Sequence, residues 1–177
     1  QKVRAAQERA RSYRAVYHLA EKRFVQLGDP TLAEITPTDD GRYAIGSDDR
    51  AYRPMIEYDS RYADYYLVET ATGSRKPLLQ KARGPAAASP DGRHILVFQD
   101  RNWQAIRLPD GATTNLTANL GVKFFNEEND GPGPPFSYGA AGWTKDGKLV
   151  LLYDRYDVWQ LFPDGRAARN LTDGYGR

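Results

Sequence analysis

Short runs of β-branched and aromatic residues recur along the chain, and each one follows a polar turn. The three clearest runs, YAIG, HILVF and LVLLY, begin at Tyr43, His94 and Leu149. Apolar runs this short predict buried β-strands. Each run follows an Asp-Gly-basic tripeptide, and Asp-Gly favours a tight hairpin turn because glycine adopts positive φ without steric cost. The tripeptides are Asp40-Gly41-Arg42, Asp91-Gly92-Arg93 and Asp146-Gly147-Lys148.

The similarity between the three stretches extends beyond the turn and its strand. Gly41 and Gly92 are 51 residues apart, and Gly92 and Gly147 are 55 residues apart. An Asp-Arg pair follows each apolar run, and in the last two copies alternating segments, NWQAIRL and YDVWQLF, come next. Alternation of this kind is typical of half-buried strands. The first copy carries an insertion, AYRPMIEYDSR, between its middle strands.

A period of roughly 40 to 55 residues with about four strands per unit predicts an all-β fold, a β-propeller with blades of four antiparallel strands. We expect about three and a half blades of a larger ring, because one half unit precedes the three repeats. The predicted segments are a lead-in over 1–12, a half blade over 13–29, blades over 30–80, 81–117 and 142–177, and an interblade loop over 118–141. A helix from Ala5 to Lys22 is the alternative for the first segment, because RAAQERARSYR has high helix propensity.

Composition narrows the classes of function. The chain carries 25 basic and 23 acidic side chains, a net charge of +2, which predicts no nucleic-acid or membrane partner. Its apolar runs are shorter than a membrane span, and the absence of cysteine excludes disulfides and thiolate metal sites. We expect no cofactor and no metal centre. The chain opens on Gln1, so we expect a processed product or a piece of a longer protein.

The motif SPDGRHILVF, followed by IRLPDGATTNLT, resembles the propeller repeat of the TolB-like and prolyl oligopeptidase families. The stretch over 121–165, together with RYADYYLVETATG, is most similar to large bacterial prolyl oligopeptidase-like serine peptidases. This resemblance implies a propeller that covers a C-terminal α/β-hydrolase domain of the same parent chain. Such a propeller admits short peptide substrates and excludes folded proteins. The resemblance also implies an exported parent, periplasmic or secreted.

The catalytic serine of that family lies in a G-x-S-x-G turn, and this chain contains none. We therefore expect no catalytic residue here and interpret the chain as the gating, substrate-selecting part of a peptidase. Two alternatives stay open. One is a non-enzymatic TolB-like propeller that mediates protein–protein interaction. The other is a propeller enzyme, such as a lactonase or glycosidase, with its chemistry in its own channel.

The acidic pair Glu127-Glu128, in KFFNEENDGPGPP, is the leading candidate for substrate binding. In the dipeptidyl peptidase branch of the family, a double Glu before a blade's first strand binds the free α-amino group of the substrate. Two carboxylates can hold an ammonium through charge-assisted hydrogen bonds. A solvated acidic loop is one alternative interpretation. A Ca²⁺ loop built from the oxygens of residues 126–130 is another, although it lacks the alternate spacing of an EF-hand.

Further residues are candidates for a channel or pocket. Arg50, Arg101 and Arg155 each follow an Asp at an equivalent place in the repeat and could bind a carboxylate or a peptide carbonyl. The structural alternative is a repeated turn with an ion pair between neighbouring blades. Phe125 and Tyr138 could line an apolar pocket, or they could fix the loop to its own core.

Overall fold

The computed structural model describes residues 10–131 and 133–176. Residues 1–9 of the predicted lead-in, which include residues 5–9 of the alternative helix, lie outside these ranges. Fourteen strands and one 3₁₀-helix make up the described part. In chain order the strands are β1 (Ala15–His18), β2 (Arg23–Gln26), β3 (Glu34–Pro37), β4 (Tyr43–Asp48), β5 (Tyr62–Glu69), β6 (Arg75–Arg83), β7 (Ala87–Ala88), β8 (His94–Gln99), β9 (Asn102–Arg107), β10 (Thr113–Asn115), β11 (Ala140–Trp143), β12 (Val150–Tyr153), β13 (Val158–Leu161) and β14 (Arg169–Asn170). The 3₁₀-helix, Arg50–Glu57, joins β4 to β5 and occupies most of the predicted insertion.

The strands form one two-stranded sheet and three four-stranded sheets, and every pairing is antiparallel between neighbours in the sequence. The four-stranded sheets have the orders β3-β4-β5-β6, β7-β8-β9-β10 and β11-β12-β13-β14. Each sheet is thus a simple meander, as the repeat predicts. The first segment is the hairpin β1-β2, so the alternative helix is wrong over the described residues 10–22.

A repeated hydrogen-bonding scheme closes the first turn of each four-stranded sheet. A Ser or Thr two residues before the Asp donates its hydroxyl hydrogen to Asp Oδ1 over 2.6–2.7 Å. The same carboxylate oxygen accepts the backbone N–H two residues later. The hydroxyl oxygen in turn accepts the backbone N–H of the residue five positions later in the chain. The three hydroxyl residues are Thr38, Ser89 and Thr144.

Consecutive Asp-Gly turns also lie against one another. A Cβ built on Gly92 would be 2.4 Å from the Asp40 carboxylate carbon, and one built on Gly147 would be 2.6 Å from that of Asp91. Both glycines have positive φ, +65° and +70°. Glycine is therefore favoured at these two positions for two reasons. It adopts the left-handed backbone of the turn, and it leaves room for the carboxylate of the preceding turn.

Within residues 10–131 and 133–176, the hydrophobic core consists of three clusters, each formed where consecutive sheets face one another. One cluster joins β1-β2 to β3-β6 through Val25, Leu27 and Val68. The next joins β3-β6 to β7-β10, and the third joins β7-β10 to β11-β14. Burying a Leu, Ile or Val side chain contributes about 1.5–3 kcal/mol, so stacking of neighbours supplies stability that one sheet lacks. Successive four-stranded meanders packed face to face are the blades of a β-propeller.

No helix within residues 10–131 and 133–176 is long and apolar enough to span a membrane.

Candidate functional site

The two ends of the sheets carry different kinds of connection. In a meander, successive turns alternate between the ends, so the Asp-Gly turns and the turns that join third to fourth strands share one end. The opposite end carries the β4-β5, β8-β9 and β12-β13 connections and the long loop between β10 and β11. We call this opposite end the variable end, because its three hairpin connections differ in length and conformation.

Glu127 and Glu128 lie at the variable end, and both carboxylates are paired with cations. Glu127 Oε1 is 3.0 Å from Lys123 Nζ, and Glu128 Oε1 accepts a hydrogen bond of 2.5 Å from Arg155 Nη2. The nearby Glu128 carboxylate raises the pKa of Arg155, because the anion favours the charged guanidinium. The second oxygen of each carboxylate, Oε2, accepts no hydrogen bond from the described residues.

The loop that carries the pair is held by its aromatic residues. Phe124 is buried in the cluster between the last two sheets, and it packs edge-on against Trp159. Phe125 and Ser137 form an isolated antiparallel bridge, so the loop folds back on itself. The Tyr138 hydroxyl then accepts the backbone N–H of Glu127 at 3.1 Å. Tyr138 thus fixes the backbone position of the acidic pair.

The three repeated arginines do not share one ion-pairing scheme, so the predicted interblade ion pair is not a feature of the repeat. Arg50 binds Asp48, the last residue of the preceding strand β4, through Nε and Nη2, both at 2.8 Å. Arg155 binds Glu128 in the long loop. Arg101 lies over the Phe125 ring, 5.3 Å from its centroid, and has no carboxylate partner in the described ranges.

A groove joins several of the candidates at the variable end. Three adjoining recesses share lining residues: Asp100 and Arg101 belong to the first and second, and Val122 and Lys123 to the second and third. Phe125 lines the second recess, and Glu127 and Arg155 line the third. Arg50 lies apart, in a small recess against the segment over 30–34.

Sequence reasoning missed two residues of the first recess, Lys81 and Arg83. Both lie in β6, which pairs with β5 through two register shifts between Ala63 and Tyr66. No motif or spacing in LLQKARG indicates this position. The register of a sheet is a property of the paired strands and not of either strand alone.

Asp154 precedes the candidate residue Arg155 and has a structural role. It is buried, 6% exposed, and Oδ1 accepts the backbone N–H of Tyr156 at 2.7 Å. Its other carboxylate oxygen accepts the Trp159 indole N–H at 3.0 Å. A buried carboxylate with this many donors stabilises its own turn.

The side chains of the segment considered as an alternative Ca²⁺ loop bond within the loop. Asn126 Oδ1 accepts the backbone N–H of Glu128 at 3.0 Å, and Asn129 Nδ2 donates to the Gly133 carbonyl at 3.1 Å. Over the residues that the structure describes, no group of three or more His, Asp or Glu side chains is placed to hold a metal ion.

Comparison with known proteins supports the fold. No protein-family model and no curated protein matches the chain. Among solved structures, dipeptidyl peptidase 4 from Porphyromonas gingivalis matches with a TM-score of 0.58 at 15% identity, over 92% of this chain and 30% of that one. TolB from Acinetobacter baumannii matches with a TM-score of 0.37 at 15% identity, over 89% and 48%. The β-propeller domain of the Trilobed protease from Pyrococcus furiosus matches with a TM-score of 0.40 at 12% identity, over 90% and 63%.

The chain is an all-β protein built from β-propeller blades, as the sequence repeat predicts. The likeness to the Porphyromonas protein, at 15% identity, shows this fold and nothing finer. The chain spans less than two thirds of the length of each of these three structures.

Proposed function

We propose that this chain is the substrate-selecting propeller portion of a prolyl oligopeptidase-like serine peptidase. In this proposal Glu127 and Glu128 bind the free amino terminus of a short peptide. The catalytic serine belongs to an α/β-hydrolase domain of the parent protein. The single observation that carries the proposal is the position of the acidic pair, at the variable end beside a groove, with its backbone fixed by Tyr138.

The contacts of the pair suit an ammonium ligand. Lys123 and Arg155 each hold one oxygen, Oε1, of the Glu they contact, which orients both carboxylates. Each Oε2 is then available to accept an N–H from the ligand. A primary ammonium is charged and has three hydrogens to donate to carboxylate oxygens, whereas an acetylated amino terminus has one N–H and no charge.

The test compares peptide substrates with free and acetylated amino termini in the intact parent enzyme. Glu127→Gln and Glu128→Gln should each lower kcat/KM for the free peptide roughly ten-fold or more and change that for the acetylated peptide little. Asp130→Asn is the matched control, because it removes one negative charge from the same exposed loop. Equal losses for the free and acetylated peptides would refute the amino-terminal anchor.

Labelling with a fluorophosphonate probe tests the proposed enzyme class independently of the amino-terminal anchor. Labelling of the intact parent, with no labelling of this 177-residue segment, would support a serine hydrolase with a non-catalytic propeller. Absence of label on the parent would refute the peptidase proposal and favour a propeller that binds a protein partner.

A further inference from the structure

One recess at the variable end is lined by cations and aromatic rings. It is the first recess of the groove, with a volume of about 540 Å³, and it lies between β5-β6, the β8-β9 turn and the long loop. Its apolar wall consists of Tyr62, Phe98, Phe136 and two prolines of the loop. A volume in this range fits a small organic ligand and is much larger than an inorganic anion needs.

Three cationic side chains and one acidic side chain line this recess. The cations are Lys81, Arg83 and Arg101, and none has a carboxylate within ion-pair distance among the described residues. Arg83 is held in place, since Nε donates to Ser60 Oγ at 2.6 Å, Nη1 donates to the Pro134 carbonyl, and the guanidinium lies 3.6 Å from the Phe136 ring centroid. The acidic residue, Asp100, is exposed.

Two of these cationic residues, Lys81 and Arg101, have a left-handed backbone conformation that their residue types disfavour. Lys81 has φ +46°, and Asp100 and Arg101 have φ +51° and +64°. The residues at 100 and 101 form a two-residue β-hairpin turn, in which glycine is the preferred second residue. Strained residues of this kind cluster at functional sites. An arginine at the glycine position points to a role for its guanidinium rather than for its backbone.

From the cavity, its unpaired cations and this backbone we propose that the recess binds the carboxylate of a short peptide. Arg101 and Lys81 donate to the carboxylate, and the aromatic wall packs against the apolar side chain beside it. The wall and the volume favour a peptide acid over a bare inorganic anion. This binding does not depend on the anchor at Glu127 and Glu128, and a probe with a blocked amino terminus tests it separately.

The probe is N-acetyl-Gly-Phe with a free carboxylate, titrated calorimetrically into the full chain, with the corresponding amide as control. We expect the acid to bind at least ten-fold more tightly than the amide, because the amide lacks the charge that the cations recognise. Affinity for the acid should fall as salt rises. Equal binding of acid and amide, or binding of neither, would overturn the proposal.

Arg101→Gly distinguishes a binding role from a structural one. Glycine relieves the positive-φ strain, so the urea midpoint of this variant should equal or exceed that of the unaltered chain, while acid binding falls about ten-fold or more. Lys81→Asn should weaken binding similarly, because asparagine tolerates the left-handed backbone but carries no charge. Lys145→Asn, an exposed lysine of an Asp-Gly turn, is the matched control and should bind as the unaltered chain does.

Asp100→Asn tests the sign of the electrostatics. Removing the negative charge that lines the recess should tighten binding of the acid and leave the amide unchanged. Inorganic phosphate that displaces the acid at equal concentration would reveal a general anion site and overturn the assignment to a peptide. Loss of acid binding in Lys145→Asn as large as that in Lys81→Asn would also overturn it.

Discussion

The two ends of the sheets differ in how closely they follow the sequence repeat. At the Asp-Gly end, the same three hydrogen bonds recur in all three four-stranded sheets, and the turns lie against one another from sheet to sheet. At the variable end, the connections are a 3₁₀-helix, a two-residue turn and a turn closed by Asp154. Contacts between neighbouring sheets constrain the turns at the Asp-Gly end, whereas the connections at the variable end can differ from sheet to sheet. The candidate sites therefore lie where the repeat breaks down.

The largest effect that we expect comes from the glycines of the Asp-Gly end. Gly41→Ala and Gly92→Ala both place an alanine at positive φ, which costs about 1–2 kcal/mol. At Gly41 an added Cβ meets no atom within 4 Å, whereas at Gly92 it would meet the Asp40 carboxylate. Moving that carboxylate breaks its bonds to Thr38 and Arg42, so Gly92→Ala should cost about 2 kcal/mol more than Gly41→Ala.

Urea unfolding of both variants measures this difference directly. Both glycines have positive φ, so the backbone cost of alanine is the same at the two sites. Subtracting the Gly41→Ala value from the Gly92→Ala value therefore leaves the cost of the contact with the Asp40 carboxylate. Equal destabilisation by the two substitutions would show that contact between consecutive turns contributes nothing, and the contrast between the two ends would lose its physical basis.

A smaller effect concerns His94, which lies at the Asp-Gly end. His94 opens β8 beside its turn, and its ring stacks on Trp143 of the next sheet with centroids 6.3 Å apart. Burial lowers the pKa of His94 below its ordinary value, because the charged ring is penalised in the folded state. The neutral ring therefore favours the folded state at pH above about 6.5, and this contribution is lost as pH falls below that value.

The measurement is the free energy of unfolding between pH 8 and pH 5 (about three pH units, spanning the ordinary pKa of His). His94→Leu, which copies the residue at the equivalent position 149, should flatten the decline with falling pH. His18→Gln is the control, since His18 is the other histidine of the chain and lies in β1. A decline that persists in the His94→Leu variant and disappears in His18→Gln would contradict the assignment.

The same contrast explains how much the sequence could predict. The Asp-Gly turns and their strands were predictable because Thr38 or Ser89, the Asp and the Gly act within a few residues of one another. Glu127 and Glu128 were named through a family resemblance, and the structure adds their partners Lys123 and Arg155. The cationic recess was not predictable, because it depends on a sheet register and on residues from three separate segments.

The smallest effect that we expect is the loss of an ion pair at the variable end, judged against the loss of a neighbouring buried carboxylate. Arg155 and Glu128 form an exposed ion pair, with side chains 38% and 69% accessible, so Arg155→Gln should change the free energy of unfolding by less than about 1 kcal/mol. Asp154→Asn should cost more, about 1–3 kcal/mol, because it removes charge from a buried carboxylate that accepts several N–H groups. Urea unfolding of the two variants gives both values. A cost for Arg155→Gln as large as that for Asp154→Asn would mean that the variable end is constrained by its own stability. Its cations would then be parts of the fold and not groups available to a ligand.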